Sequence, residues 1–318
     1  QASLTVSAQA KITTYGYSIP TLTYTYSGLV NNDSTANFTG VLATTANTTA
    51  NVGSYVITQG TLAATGNYSI GTFNNSTVTI NAAPITVIAN AQTMVYGSTV
   101  PTLTYTYAGL VNGQSSVNFT GDLSTNATSS SNVGSVYTIG QGTLVATGNY
   151  TIGTMVSAYV AITPATLSIT AANKSMVYGA TVPTLTYTYS GFVNNDSSSV
   201  FTGALSAGGY TTSNVGNYAI SRGTLAAGNN YAISYTGATL SITAAPLSVV
   251  ANNQTMVYGS NVPNLTYTYS GLVNGQSSTG FIGSLTTDAN SSSAVGGNYV
   301  VSQDNLAMPV GSNYVITS

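Results

Sequence analysis

One dipeptide sets the frame of this chain: Tyr15-Gly16, Tyr96-Gly97, Tyr178-Gly179 and Tyr258-Gly259 stand 81, 82 and 80 residues apart. Each copy is followed by the run Leu-Thr-Tyr-Thr-Tyr, at residues 22–26, 103–107, 185–189 and 265–269. A period this long belongs to a whole folded unit and not to a short motif. The 318 residues therefore divide into four modules, 1–82, 83–162, 163–244 and 245–318, where length alone would suggest about two domains. Near-identical modules in a row supply length and repeated surface more naturally than one catalytic pocket.

The elements within a module read as strands. Leu4-Thr-Val6, Ile85-Thr-Val87, Leu167-Ser-Ile169 and Leu247-Ser-Val249 place apolar residues two apart, which turns one face inward. In the tyrosine run Leu22, Tyr24 and Tyr26 share one face and Thr23 and Thr25 the other, with β-branched and aromatic residues at period two. Turn-forming residues follow at Gly28 and at Asn31-Asn-Asp-Ser34. Later markers are Asn51-Val-Gly53, Gln59-Gly-Thr-Leu62, Asn67-Tyr68 and a closing strand Thr77-Val-Thr-Ile80. No stretch shows helical periodicity, so each module is expected to be all-β with about seven strands. Modules abut through Pro84, Pro164 or Pro246. Proline stiffens such a joint, and compact units about 30 Å across would then form an elongated rod on the order of 120 Å long.

Composition narrows the function classes. Charged residues are only 3% of the chain, against roughly 25% in an ordinary domain. Disorder does not explain this, because 24 tyrosines and 43% apolar residues are enough to build cores. Lys11, Lys174 and Arg222 are the only cations in a chain of net charge −2, too few to neutralise phosphates, which argues against nucleic acid and anionic membranes as partners. No apolar run is long enough to span a bilayer as a helix, and no secretory signal is visible. His, Cys and Glu are absent. Five scattered Asp offer neither a paired carboxylate nor a ligand set for a cation, so catalytic residues, cofactors and metal sites are expected to be none.

These residues resemble the MBG and YDG-type repeats found in tandem in large bacterial surface proteins and adhesins. The shared pattern is Tyr-Gly-x-x-(Val/Ile)-Pro-x-Leu-Thr-Tyr, then Gly-(Leu/Phe)-Val-Asn, Asn-Val-Gly-x-Tyr, Gly-Thr-Leu and Asn-Tyr, and it covers essentially the whole chain. Family members usually carry an acidic residue after the first Tyr-Gly, where this chain has Tyr17, Ser98, Ala180 or Ser260. The resemblance implies an extracellular or cell-surface, adhesion-associated setting and brings no catalytic residues with it.

Alignment on Tyr-Gly puts Lys11, Gln92, Lys174 and Gln254 in one column and Asp33, Gln114, Asp196 and Gln276 in another. The columns switch together. Contact between them would give a Lys11–Asp33 and a Lys174–Asp196 salt bridge in odd modules and an amide–amide bond in even ones; inheritance from duplication of a two-module unit explains the same alternation. Module 4 lacks the closing strand of the other three. Either the sequence is a window on a longer array, or a neighbouring subunit donates the strand. Fourteen Asn-x-Ser/Thr sites include Asn37, Asn47, Asn67, Asn118, Asn126 and Asn149 as candidate glycosylation sites.

The reading from sequence is thus an all-β chain of four tandem β-sandwich (Ig-like) modules, with β-grasp-like modules as the alternative fold. Its expected role is an extracellular structural stalk or filament, with adhesive recognition of glycans or another cell surface as the alternative. Its expected partner is itself, through head-to-tail continuation, strand exchange at the open edge of module 4, or lateral packing of sheet edges that scarce charges leave unprotected.

Overall fold

The structure is a computed structural model that describes residues 1–317; Ser318, the last residue of module 4, lies outside them. The chain forms two compact units, Gln1–Thr163 and Pro164–Ser318, each holding two modules. Among the described residues there is no α-helix, and the single helical turn is the 3₁₀ segment Ser198–Val200. A β-grasp packs a helix on its sheet, so that alternative falls away. The fold is all-β.

Module 1 contains β1 (Ala2–Ala8), β2 (Lys11–Thr14), β3 (Tyr24–Ser27), β4 (Phe38–Thr39), β5 (Ala43–Thr44), β6 (Gly53–Thr58), β7 (Ala63–Ala64), β8 (Tyr68–Asn74) and β9 (Ser76–Asn81). They form a three-stranded sheet β3-β1-β8, a four-stranded sheet β2-β9-β6-β5 and the small pair β4-β7. The first strand serves both larger sheets: β1 runs parallel to β8, the chain crosses at Gln9 and Ala10, and β2 runs parallel to β9. Leu4 and Val6 from one sheet and Ile57, Val78 and Ile80 from the other are buried. Alternation thus places one row from each sheet in a common core, where each such side chain contributes about 1.5–3 kcal/mol by leaving water. Tyr24 and Tyr26 are half-buried and close over Phe38 of β4, with ring centroids 5.1 and 4.9 Å away.

The nine strands of module 1 recur in module 2, two more than the sequence pattern suggests. The extra two are the short pair β4-β7, which is too brief to leave a period. In module 3 its counterpart is a single bridge, Thr202 to Ala226.

Two local devices follow from particular residues. Between Leu4 and Thr5 the register with β8 slips from Ile70 to Thr72, so Gly71 bulges out of the ladder. A Cβ on Gly71 would overlap the Ser3 hydroxyl, and one on Gly153 would meet Pro84. Module 3 has Ser234 at this place and runs in continuous register against Ser168. The second device is the turn at Asn31-Asn32, with φ of 56° and 62°, closed by the Asp33 N–H on the Val30 carbonyl at 3.1 Å. Asn112-Gly113 in module 2 has φ of 55° and 68°. Both are two-residue turns that require positive φ twice, a conformation Asn and Gly tolerate best. The odd and even spellings therefore produce one backbone shape.

Candidate functional site

The column of Asp33, Gln114, Asp196 and Gln276 bonds one tyrosine in each module. The Tyr68 hydroxyl donates to Asp33 Oδ2 at 2.6 Å and accepts the Val30 N–H at 3.1 Å. Tyr150 donates to Gln114 at 2.6 Å, Tyr231 to Asp196 at 2.7 Å, and Tyr314 to Gln276. The column therefore pins the Asn-Tyr tyrosine to the positive-φ turn in every module. Hydrogen bonding to the Asp33 carboxylate raises the Tyr68 pKa above the ordinary phenol value. The other column belongs to the opposite sheet: Lys11 lies on β2, and Gln92 and Gln254 donate to Thr104 and Thr266 at 3.2 and 3.0 Å. In module 2 Gln92 thus bonds Thr104 and Gln114 bonds Tyr150. In the odd modules Asp33 and Asp196 each accept from a tyrosine hydroxyl. Sequence spacing could align these columns but carried no signal of which sheet each faces.

The markers that define the period meet where one module ends and the next begins. In the first unit the Asn149 carboxamide accepts the Val52 N–H through Oδ1 and donates from Nδ2 to Asn51 Oδ1, each at 2.9 Å. Asn112 donates to the Thr48 carbonyl at 2.9 Å. Tyr15 meets Tyr150 edge to face, with centroids 5.7 Å apart and planes at 81°. Gly16, at φ +86°, leaves the space that Val111 fills; a Cβ there would overlap it.

The second unit repeats the joint bond for bond. Asn313 accepts the Val215 N–H and donates to Asn214, each at 2.9 Å. Asn274 donates to the Thr211 carbonyl at 3.0 Å, Tyr178 meets Tyr314 at 5.7 Å and 83°, and Val273 fills the space at Gly179. One module contributes Tyr-Gly and Asn-Val-Gly; the next contributes Val-Asn and Asn-Tyr. Sequence reading found all four words and missed that they are two halves of one contact.

Module 4 presents the Tyr-Gly half bare. Tyr258 is 64% exposed, whereas Tyr15, Tyr96 and Tyr178 are 4–6% exposed, and Val295 is 86% exposed. A Cβ on Gly259 would meet nothing within 4 Å. Ala294 stands where modules 1 to 3 have Asn51, Asn132 and Asn214, so this half lacks the side-chain amide.

Of the candidate glycosylation sites, Asn37, Asn47, Asn67, Asn118 and Asn126 are exposed. Asn149 is half-buried and its amide nitrogen is engaged with Asn51. A sugar at that nitrogen would displace the joint bond.

A row of all-β modules joined through their own sequence markers is the arrangement of a tandem repeat protein. The pattern of the MBG domain (YGX type) matches residues 4–79, 85–158, 167–241 and 247–318. The chain belongs to that family, as a repeat protein of the surface-protein kind. A search of curated proteins found no match. No helix among the described residues is long and apolar enough to cross a membrane.

Proposed function

We propose that this chain is an extracellular structural repeat protein, without enzymatic activity, whose modules join into a cell-surface stalk or filament. One observation carries the reading: residues that recur from module to module hold one module to the next, as in Tyr15, Gly16, Asn51 and Val52 against Val111, Asn112, Asn149 and Tyr150. In a repeated binding or catalytic module recurring residues of this kind would line a cleft. Here they make cohesion.

The test is to label native cells with an antibody to this chain and examine them by electron microscopy. Label on thin projections at the cell surface, removed by brief external proteolysis, supports the reading. Protein that stays intact under external protease and fractionates inside the cell overturns it. Saturable binding of a soluble form to defined sugars on a glycan array, with no projections seen, would establish adhesion in its place.

A further inference from the structure

Each of the first three modules begins and ends with strands that lie side by side and run the same way. In module 1 the opening strands β1 and β2 flank the closing strands β8 and β9, from Ala2 beside Tyr68 to Ser7 beside Asn74 and from Lys11 beside Val78 to Thr14 beside Asn81. In module 2, Ala83–Ala89 and Gln92–Val95 run beside Tyr150–Val156 and Ala158–Thr163. In module 3, Ala165–Ala171 and Lys174–Val177 run beside Tyr231–Thr236 and Ala238–Thr243. Only Ala82 separates β9 from the opening strand Ala83–Ala89, so a pull on one module passes to the next without slack.

This order decides what tension does to a module. A pull along the chain enters at the start of the opening strand and leaves at the end of the closing strand. In parallel neighbours those two ends point away from each other, so the strands are drawn past one another and every rung of the ladder is loaded at once. Antiparallel neighbours would present both ends on one side and open rung by rung. The apolar rows add to the resistance: Leu4 and Val6 on the opening side and Val78 and Ile80 on the closing side are buried. A slip of one residue would turn such a row out to water, so the ladder cannot yield by creeping one place along.

We propose that these modules bear tension along the chain, with the parallel opening and closing strands of each acting as a shear clamp. Forced unfolding is governed by the unfolding barrier, and the clamp raises that barrier for a pull from the start of the opening strand to the end of the closing strand. The source of the load rests on the stalk reading; the clamp belongs to each module and is tested on the purified chain.

The chain has no cysteine, so paired substitutions place two unique handles for single-molecule pulling on the full chain. Thr166→Cys with Thr243→Cys loads module 3 from the start of its opening strand to the end of its closing strand. Thr166→Cys with Ala232→Cys loads the same module at one end, because Thr166 and Ala232 face each other on adjacent strands. All three positions are exposed. The first pair is expected to yield in a single step on the order of 250 Å, at about 3.3–3.6 Å per released residue. Its rupture force should be at least about twofold that of the second pair, since the ladder bonds must break together and not in turn. Equal forces in the two directions, a stronger second pair, or gradual yielding of the first pair would each overturn the clamp. A twofold difference in a protein that fractionates inside the cell would keep the clamp and remove the stalk.

Discussion

Asn149 grips Asn51 and its neighbour with both ends of one carboxamide: the oxygen takes the Val52 N–H and the nitrogen reaches the Asn51 oxygen. Asn67, at the same place in module 1, is exposed. Asn149→Ala removes both exposed bonds, at a cost of about 0.5–1.5 kcal/mol for each bond. Asn67→Ala is expected to stay within about 0.5 kcal/mol of the parent. Denaturant titration of the two variants checks this, and equal effects would mean that the joint bonds carry no stability.

Gly16 and Gly259 share a conformation, φ +86° and +84°, but only Gly16 faces another side chain. Alanine at Gly259 bears only the strain of positive φ, about 1 kcal/mol. Alanine at Gly16 bears that strain and the overlap with Val111, and is expected to cost about 1–3 kcal/mol more. Adding Val111→Ala should return part of the difference. Equal melting losses for the two single variants would refute a steric role for Gly16.

Tyr178 and Tyr258 form a second natural comparison, 6% against 64% exposed. Tyr178→Ala opens a void beside Tyr314 and is expected to cost about 3–5 kcal/mol. Tyr258→Ala should cost less than about 0.5 kcal/mol. Surface nitration of the parent, mapped by peptide mass, should reach Tyr258 before Tyr15, Tyr96 or Tyr178.

Alkaline pH should loosen module 1 through Tyr68. Its hydroxyl donates to the Asp33 carboxylate, which raises its pKa above 10.0 in the folded state. Above pH 10 the unfolded chain gives up this proton before the folded chain does, so the contribution is complete below that point and fades as pH climbs through the folded pKa. In Asp33→Asn the neutral amide should lower the Tyr68 pKa relative to the parent, as read by ultraviolet titration. An unchanged titration would show that the carboxylate does not govern the hydroxyl.

The strands and the module period were legible because period-two alternation survives in short segments: Leu4 and Val6, Val78 and Ile80 are inward in the structure as in the pattern. The parallel pairing of β1 with β8 was not, since it joins segments more than sixty residues apart. The bulge at Gly71 was hidden for another reason: a glycine that yields space to Ser3 looks like any other glycine until its neighbour is placed. The joint was half legible. Tyr15, Asn51 and Asn149 stood out as repeated, but repetition alone does not say that Asn51 of one module belongs with Asn149 of the next. The same limit applies to the columns: covariation of Asp33 with Lys11 carried no sign that Asp33 bonds Tyr68.

The even modules spell their positive-φ turn Asn112-Gly113 and Asn274-Gly275, and in both the asparagine amide also holds the joint, to Thr48 and to Thr211. Side-chain amides are among the heat-labile groups of a protein, and a following glycine leaves the backbone nitrogen least shielded from attack on the carboxamide. Deamidation there replaces a donor with an anion beside a carbonyl oxygen. The odd modules, with Asn31-Asn32 and Asn194-Asn195, place a side chain over that nitrogen. Chemical ageing of such a chain would therefore begin at every second module and would loosen the two joints first from the even side.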